Sequence, residues 1–171
     1  MELGLEGKVA LVTGSSRGIG RGIALALAAE GCDLLLTGRD VPALQDVANS
    51  IRSERRKAAV CALDLRQPAA AATLVEAARR EFGGLDILVS NAGTTKRGDF
   101  FALTDADWEE GYALKFFAHM RLARVAWPML RERHGSLIAI GGTSGRKPEK
   151  SFTIGQAFQP ESSSPSSGWK A

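Results

Sequence analysis

Apolar and polar positions alternate in blocks along the chain. Short apolar runs at Val9–Thr13, Asp33–Thr37, Ala58–Leu63, Leu85–Ser90 and Ser136–Ile140 read as buried strands. Between them, Gly18–Glu30, Val41–Lys57, Gln67–Phe82 and Thr104–Arg133 carry apolar residues at helical spacing. Strands that alternate with helices need crossover connections. The pattern therefore predicts an α/β fold: a doubly wound, Rossmann-like parallel sheet of about five strands with helices on both faces. Gly31, Gly83-Gly84 and Gly135 stand where three helices should end. Pro128 predicts a kink in the last turn of the fourth helix.

The pattern fades after about residue 145. Residues 151–171 hold six serines, whereas the 150 before them hold seven. ESSSPSSG at 161–168 has the composition of a flexible segment. The expected organisation is an incomplete Rossmann-like domain over 1–148 and a Ser/Pro-rich irregular tail over 149–171.

Composition narrows the function classes. The chain is 44% apolar and 24% charged, which argues against wholesale disorder. No apolar run approaches the ~18–20 residues of a membrane span, and Met1–Lys8 does not read as a secretory signal. Cys32 and Cys61 form no Cys-x-x-Cys pair, so a disulfide scaffold or thiolate metal site is not expected. A cytoplasmic protein without a membrane partner fits these features. The net charge of +3 is mild and its cations are scattered near helix ends, without interleaved aromatics, so nucleic-acid binding is not expected either.

The strongest local signal is Thr13-Gly14-Ser15-Ser16-Arg17-Gly18-Ile19-Gly20, between the first strand and the first helix. Gly14 permits a tight turn, Gly18 lets backbone approach a phosphate, and Gly20 lets the helix pack close to the sheet. Free amides and the helix dipole then favour a diphosphate. Gly14, Ser16, Arg17, Gly18, Ile19 and Gly20 are candidate cofactor-binding residues. The second strand ends Leu36-Thr37-Gly38-Arg39. A carboxylate there would suit the ribose of NAD. Arg39, with Arg17 beside it, suits the 2′-phosphate of NADP instead. Two alternatives stay open: Arg39 as a solvated loop cation, and Asp40 as a ribose ligand.

With these residues in place, the chain resembles the short-chain dehydrogenase/reductase family from about Leu5 to Pro148. The resemblance rests on TGSSRGIG at 13–20, Asp64-Leu65 after the third strand, Asn91-Ala92-Gly93 after the fourth, and Trp108 early in the long helix. It implies hydride transfer between NADP(H) and a carbonyl or alcohol. It implies that Asp64 bonds the adenine amino group and Leu65 lines the adenine pocket. It implies that Asn91 braces the strands, with Ala92 and Gly93 beside the ribose. The alternative for Asp64 is an acid near the start of the third helix.

The same resemblance exposes a departure. The family uses a tyrosine, a lysine, a serine and an asparagine. Family spacing puts these on Gly155, Gln159, Gly142 and Lys115, so none is present at its position. The single tyrosine, Tyr112, precedes the fifth strand and reads as a helix-face aromatic. Weak catalytic candidates are Lys115, Thr143 and Ser144. Lys115 and His119 stand four apart on one helix face, and the simpler reading of them is a surface pair. No metal site is expected. Impaired activity follows, with a non-catalytic NADP-binding module or a truncated or frameshifted product as alternatives. The fifth strand is expected to form an exposed edge, and Phe116, Phe117 or Trp127 an exposed patch open to self-association.

Overall fold

The computed structural model describes residues 3–94, 96–141 and 154. Thr143, Ser144 and the Ser/Pro-rich stretch lie outside the described residues. Five parallel strands form one sheet: β1 (Val9–Thr13), β2 (Asp33–Thr37), β3 (Ala58–Val60), β4 (Ile87–Ser90) and β5 (Ser136–Ala139), in the order β3-β2-β1-β4-β5. The helices are α1 (Gly18–Ala29), α2 (Val41–Ser53), α3 (Ala70–Phe82), α4 (Asp105–Tyr112) and α5 (Ala118–Glu132).

Strand side chains alternate between two cores. Val9, Leu11, Leu35 and Leu88 meet Leu74 and Ala78 of α3 and Leu122, Ala126 and Leu130 of α5. Ala10, Val12, Leu34, Leu36 and Val89 meet Ala24 and Ala28 of α1 and Leu44, Val47 and Ile51 of α2. Both faces are thus covered, which is why the strands read as unbroken apolar runs. The chain winds one way from β1 to β3, then returns across β1 to place β4 on its other side. That reversal leaves a crevice beyond the carboxyl ends of β1 and β4.

Three features depart from the sequence reading. The long fourth helix is not one regular helix. It is α4, a π turn over Ala113–Phe117, and α5, which continues through Pro128 to Glu132. At the end of α5 the left-handed position is taken by His134 (φ 50), not by Gly135. Gly135 is needed for another reason, since a Cβ there would lie 2.2 Å from the Asp86 carbonyl oxygen. Finally, Arg133 is more than a helix-end cation. Its Nη1 donates to Asp86 Oδ2 at 3.2 Å and its Nη2 to the Gly83 carbonyl at 3.1 Å. Asp86 also accepts from Val9 N at 2.9 Å, so one buried carboxylate joins the starts of β1 and β4 to the end of α5.

Residues of β5 are exposed along its length, including Leu137 and Ile138, and so are Phe116, Phe117 and Trp127. Among the described residues no helix is long and apolar enough to cross a membrane.

Candidate functional site

The loop after β1 is shaped by what its glycines leave out. Gly14 (φ +65) turns the chain, and a Cβ on it would sit 3.0 Å from Ala92 Cα. A Cβ on Gly20 would fall 2.2 Å from the Gly14 carbonyl oxygen and 2.5 Å from Asn91 Nδ2. The first turn of α1 is thereby pressed against the ends of β1 and β4. Gly18 (φ +55) differs, because nothing lies within 4 Å of its missing Cβ. Its demand is conformational, and it opens onto free space.

Side-chain bonds fix the two lips of the crevice. Ser15 is buried and its Oγ accepts from Thr37 N at 3.1 Å, tying the loop to the end of β2. Thr13 Oγ1 accepts from both Asn91 N and Ala92 N at 2.8 Å. Asn91 Nδ2 donates to the Thr13 carbonyl at 2.8 Å. Arg17, the residue preceding α1, is extended (φ −158), and no side chain among the described residues caps its amides. These N–H groups retain a need for an acceptor, and the helix dipole makes an anion the favoured one.

The crevice has a volume of about 750 Å³, inside the roughly 300–1,000 Å³ typical of small-molecule sites. It gathers Gly14, Ser16, Arg17, Gly18, Ile19, Gly20, Arg39, Asp64, Leu65, Asn91, Ala92, Gly93 and Lys115 on one surface. Gly38, Leu63, Thr94, Leu114, His119, Ala139, Ile140 and Gly141 complete it. Arg17 and Arg39 are exposed, and their side chains make no hydrogen bond or ion pair among the described residues. Asp40 does not line the crevice. Its Oδ1 accepts from Ala43 N at 3.0 Å and caps α2.

Lys115 and His119 are not a surface pair. The π turn widens the helix by one residue, and both side chains become half-buried parts of the crevice wall while Ala118 and Leu122 turn into the core. The alkyl chain of Lys115 lies on Gly93, where a Cβ would be 3.3 Å from Cε. His119 Nε2 stands 2.9 Å from the Ala92 carbonyl. A carbonyl only accepts, so Nε2 carries the proton in this bond. A π turn has no simple sequence signature, so periodicity did not reveal this arrangement. Tyr112 stacks on Trp108, with centroids 6.3 Å apart and planes 30° apart, and it is not among the crevice residues.

Asp64 reaches the crevice but its carboxylate is engaged by Arg66, a residue the sequence reading passed over. Arg66 Nη2 lies 2.5 Å from Oδ2, and Arg66 Nη1 also pairs with Glu110 of α4. The Arg66 guanidinium holds the Asp64 carboxyl below the usual carboxylate range, against the opposing effect of burial. Asp64 is thus an anion in an otherwise cationic rim.

Comparison with known proteins agrees with this geometry. Residues 8–155 match the short chain dehydrogenase family. The chain is 34% identical over 159 residues to the 3-oxoacyl-(acyl-carrier-protein) reductase FabG of Escherichia coli, covering 91% of this chain and 64% of that protein. Among solved structures it superposes on L-sorbose reductase from Gluconobacter frateurii, complexed with NADPH and L-sorbose, with a TM-score of 0.89 and 35% identity over 92% of this chain and 61% of that one. It superposes also on 7α-hydroxysteroid dehydrogenase complexed with NADH, with a TM-score of 0.86 and 26% identity over 90% and 60% of the two chains. The chain therefore spans less than two thirds of the length of these relatives. A five-stranded sheet in this order, a glycine loop at its switch point and a family match over most of its length lead to one conclusion: the chain belongs to the short-chain dehydrogenase family.

Proposed function

We propose that the crevice binds NADP(H), and that the chain is an oxidoreductase of slow turnover acting between this cofactor and a carbonyl or alcohol. The observation that carries the cofactor choice is the different fate of two neighbours: Arg39 lines the crevice, whereas Asp40 is used up as the cap of α2. A ribose 2′-phosphate would gain a charged partner there, and a bare ribose would find no carboxylate. The uncapped amides at the start of α1, with the open space at Gly18, are assigned to the diphosphate. Ser16 and Ile19 form the loop surface against it, Leu65 the apolar floor of the adenine end, and Asn91 the brace that keeps Ala92 and Gly93 beside the ribose.

The cofactor supplies the hydride. This chain's residues must bind it, orient it and deliver a proton to the substrate oxygen. Lys115 and His119 are the titratable groups that the crevice offers near Gly93 and Ala92. Lys115 is assigned a hydrogen bond to the substrate oxygen, and no tuned phenol accompanies it. A positioned acid–base group is worth about 10²–10⁴ in rate, so turnover is reduced on that order. A second reading, a binding module without turnover, is favoured by one fact. The only tyrosine, Tyr112, is stacked on Trp108 outside the crevice.

The test is to follow NADPH binding by tryptophan fluorescence and then NADPH oxidation with a panel of ketones. Binding with slow oxidation that falls further in Lys115→Ala supports the proposal. Binding without any oxidation supports the module, and absence of binding rejects both.

A further inference from the structure

The chain leaving β4 is held firmly for two residues and then by a single side chain. Asn91 N and Ala92 N both donate to Thr13 Oγ1 at 2.8 Å. The next peptide, Ala92–Gly93, has no such backing. Its N–H, on Gly93, makes no hydrogen bond among the described residues. Its carbonyl, on Ala92, meets one donor there, His119 Nε2 at 2.9 Å. That bond ties the end of β4 to the first turn of α5. A peptide is planar and trans, so its C=O and N–H point in opposite directions. Holding the Ala92 carbonyl toward α5 therefore turns the Gly93 N–H away from α5. Lys115, four residues before His119, lies against the next atom of the chain, since a Cβ on Gly93 would be 3.3 Å from Lys115 Cε. The two side chains grip successive parts of one link, His119 the carbonyl and Lys115 the Cα that follows.

We propose that His119 is a positioning residue for the cofactor: its Nε2–H locks the Ala92–Gly93 peptide so that the Gly93 N–H is presented to an acceptor atom of a bound dinucleotide. The inference rests on the dinucleotide reading above. Ala92 and Gly93 both line the crevice. A Cβ on Gly14 would lie 3.0 Å from Ala92 Cα, so the glycine loop and this peptide are immediate neighbours. A ligand seated on the loop amides therefore has the Gly93 N–H within its surroundings. Without the imidazole donor, the orientation of the peptide is left to Ala92 ψ and Gly93 φ, both soft dihedrals, and glycine is the most permissive residue for the second. Binding then has to order the peptide, and affinity falls accordingly. NADPH and NADH differ at the 2′-phosphate, which is assigned to the Arg39 rim, so both should lose by the same factor. His119 thus acts through the Ala92 carbonyl and carries no role in choosing between the two.

The experiment is titration calorimetry of NADPH and NADH with the intact chain and three variants. His119→Phe keeps a ring and removes the donor. His119→Gln places an amide N–H near the position of Nε2, and His119→Asn places one a bond short of it. The expected result is a rise of about tenfold in both dissociation constants for the Phe and Asn variants, on the scale of one hydrogen bond. His119→Gln should bind within about threefold of the wild type, because it restores the donor to the carbonyl. A merely structural role would not separate Gln from Asn, which have the same polar group. Equal affinities of the Gln and Asn variants would overturn the proposal while leaving the dinucleotide reading intact, and so would wild-type affinity in His119→Phe. A loss confined to NADPH would overturn it too, by placing His119 at the extra phosphate. Failure of the wild type to bind either nucleotide would reject the dinucleotide reading itself, and this inference with it.

Discussion

Asn91 donates two hydrogen bonds to Thr13. The Asn91 amide donates to Thr13 Oγ1 and its side-chain Nδ2 donates to the Thr13 carbonyl, each at 2.8 Å. These bonds join the carboxyl ends of β1 and β4 where the crevice opens. The same hydroxyl serves Ala92 N. Thr13→Val keeps the shape and removes the acceptor of two amides. An orphaned buried donor costs about 1–3 kcal/mol. Urea denaturation should therefore show Thr13→Val destabilised by about 2 kcal/mol or more. A loss within experimental error would mean that the two strand ends are held by packing alone.

Gly20 and Gly22 lie on the same helix and should respond with opposite sign. A Cβ at Gly20 meets the Gly14 carbonyl and Asn91, while a Cβ at the exposed Gly22 meets nothing within 4 Å. Gly22→Ala should stabilise the protein by about 0.5–1 kcal/mol through helix propensity. Gly20→Ala should lower the melting temperature and abolish nucleotide binding, because the loop and first turn must separate. Thermal melts with and without NADPH read both effects.

Arg39 is assigned the 2′-phosphate. Arg39→Ala should raise the dissociation constant of NADPH about 10- to 100-fold, as loss of a charged hydrogen bond of about 1.5–3 kcal/mol implies. The constant for NADH should change less than threefold. Equal weakening of the two would remove Arg39 from the 2′-phosphate and leave it as a general attractor of anions.

Burial pushes the Cys32 thiol from an ordinary 9.0 up to about 11, and nearby Asp86 and Asp33 add to the shift. The folded state therefore keeps its proton where the unfolded state loses it. This contribution to stability is fully present below pH 9 and is lost as the pH rises toward about 11. Cys32→Ala should flatten the alkaline fall in stability measured by denaturation between these pH values. Native Cys32 should also resist thiol reagents at pH 8, since neither thiolate nor access is supplied.

The fold was legible because its signals are local. Five apolar runs, four helical stretches and TGSSRGIG each specify their own segment, and β1, β2 and the start of α1 fall where the pattern puts them. The candidate residues were legible as a set because the loops after β1, β2, β3 and β4 all open on one side of a parallel sheet. What escaped was decided at long range. The π turn at Ala113–Phe117 leaves no mark on a periodic pattern, yet it turns Lys115 and His119 into the crevice wall. Asp86 gave no hint of joining Val9, Lys8 and Arg133, because those partners come from two distant places, the start of β1 and the end of α5. Arg66 is the intermediate case. The Asp-x-Arg spacing at 64–66 suits an aspartate turn, so half of that contact was present in the sequence, and the half supplied by Glu110 was not.

Titration calorimetry of the intact chain with NADPH and, separately, NADH tests most directly whether the mouth of α1 and the Arg39 rim form a cofactor site. The account predicts saturable binding of both, with NADPH at least tenfold tighter. Tighter binding of NADH, or no heat from either nucleotide, would contradict it.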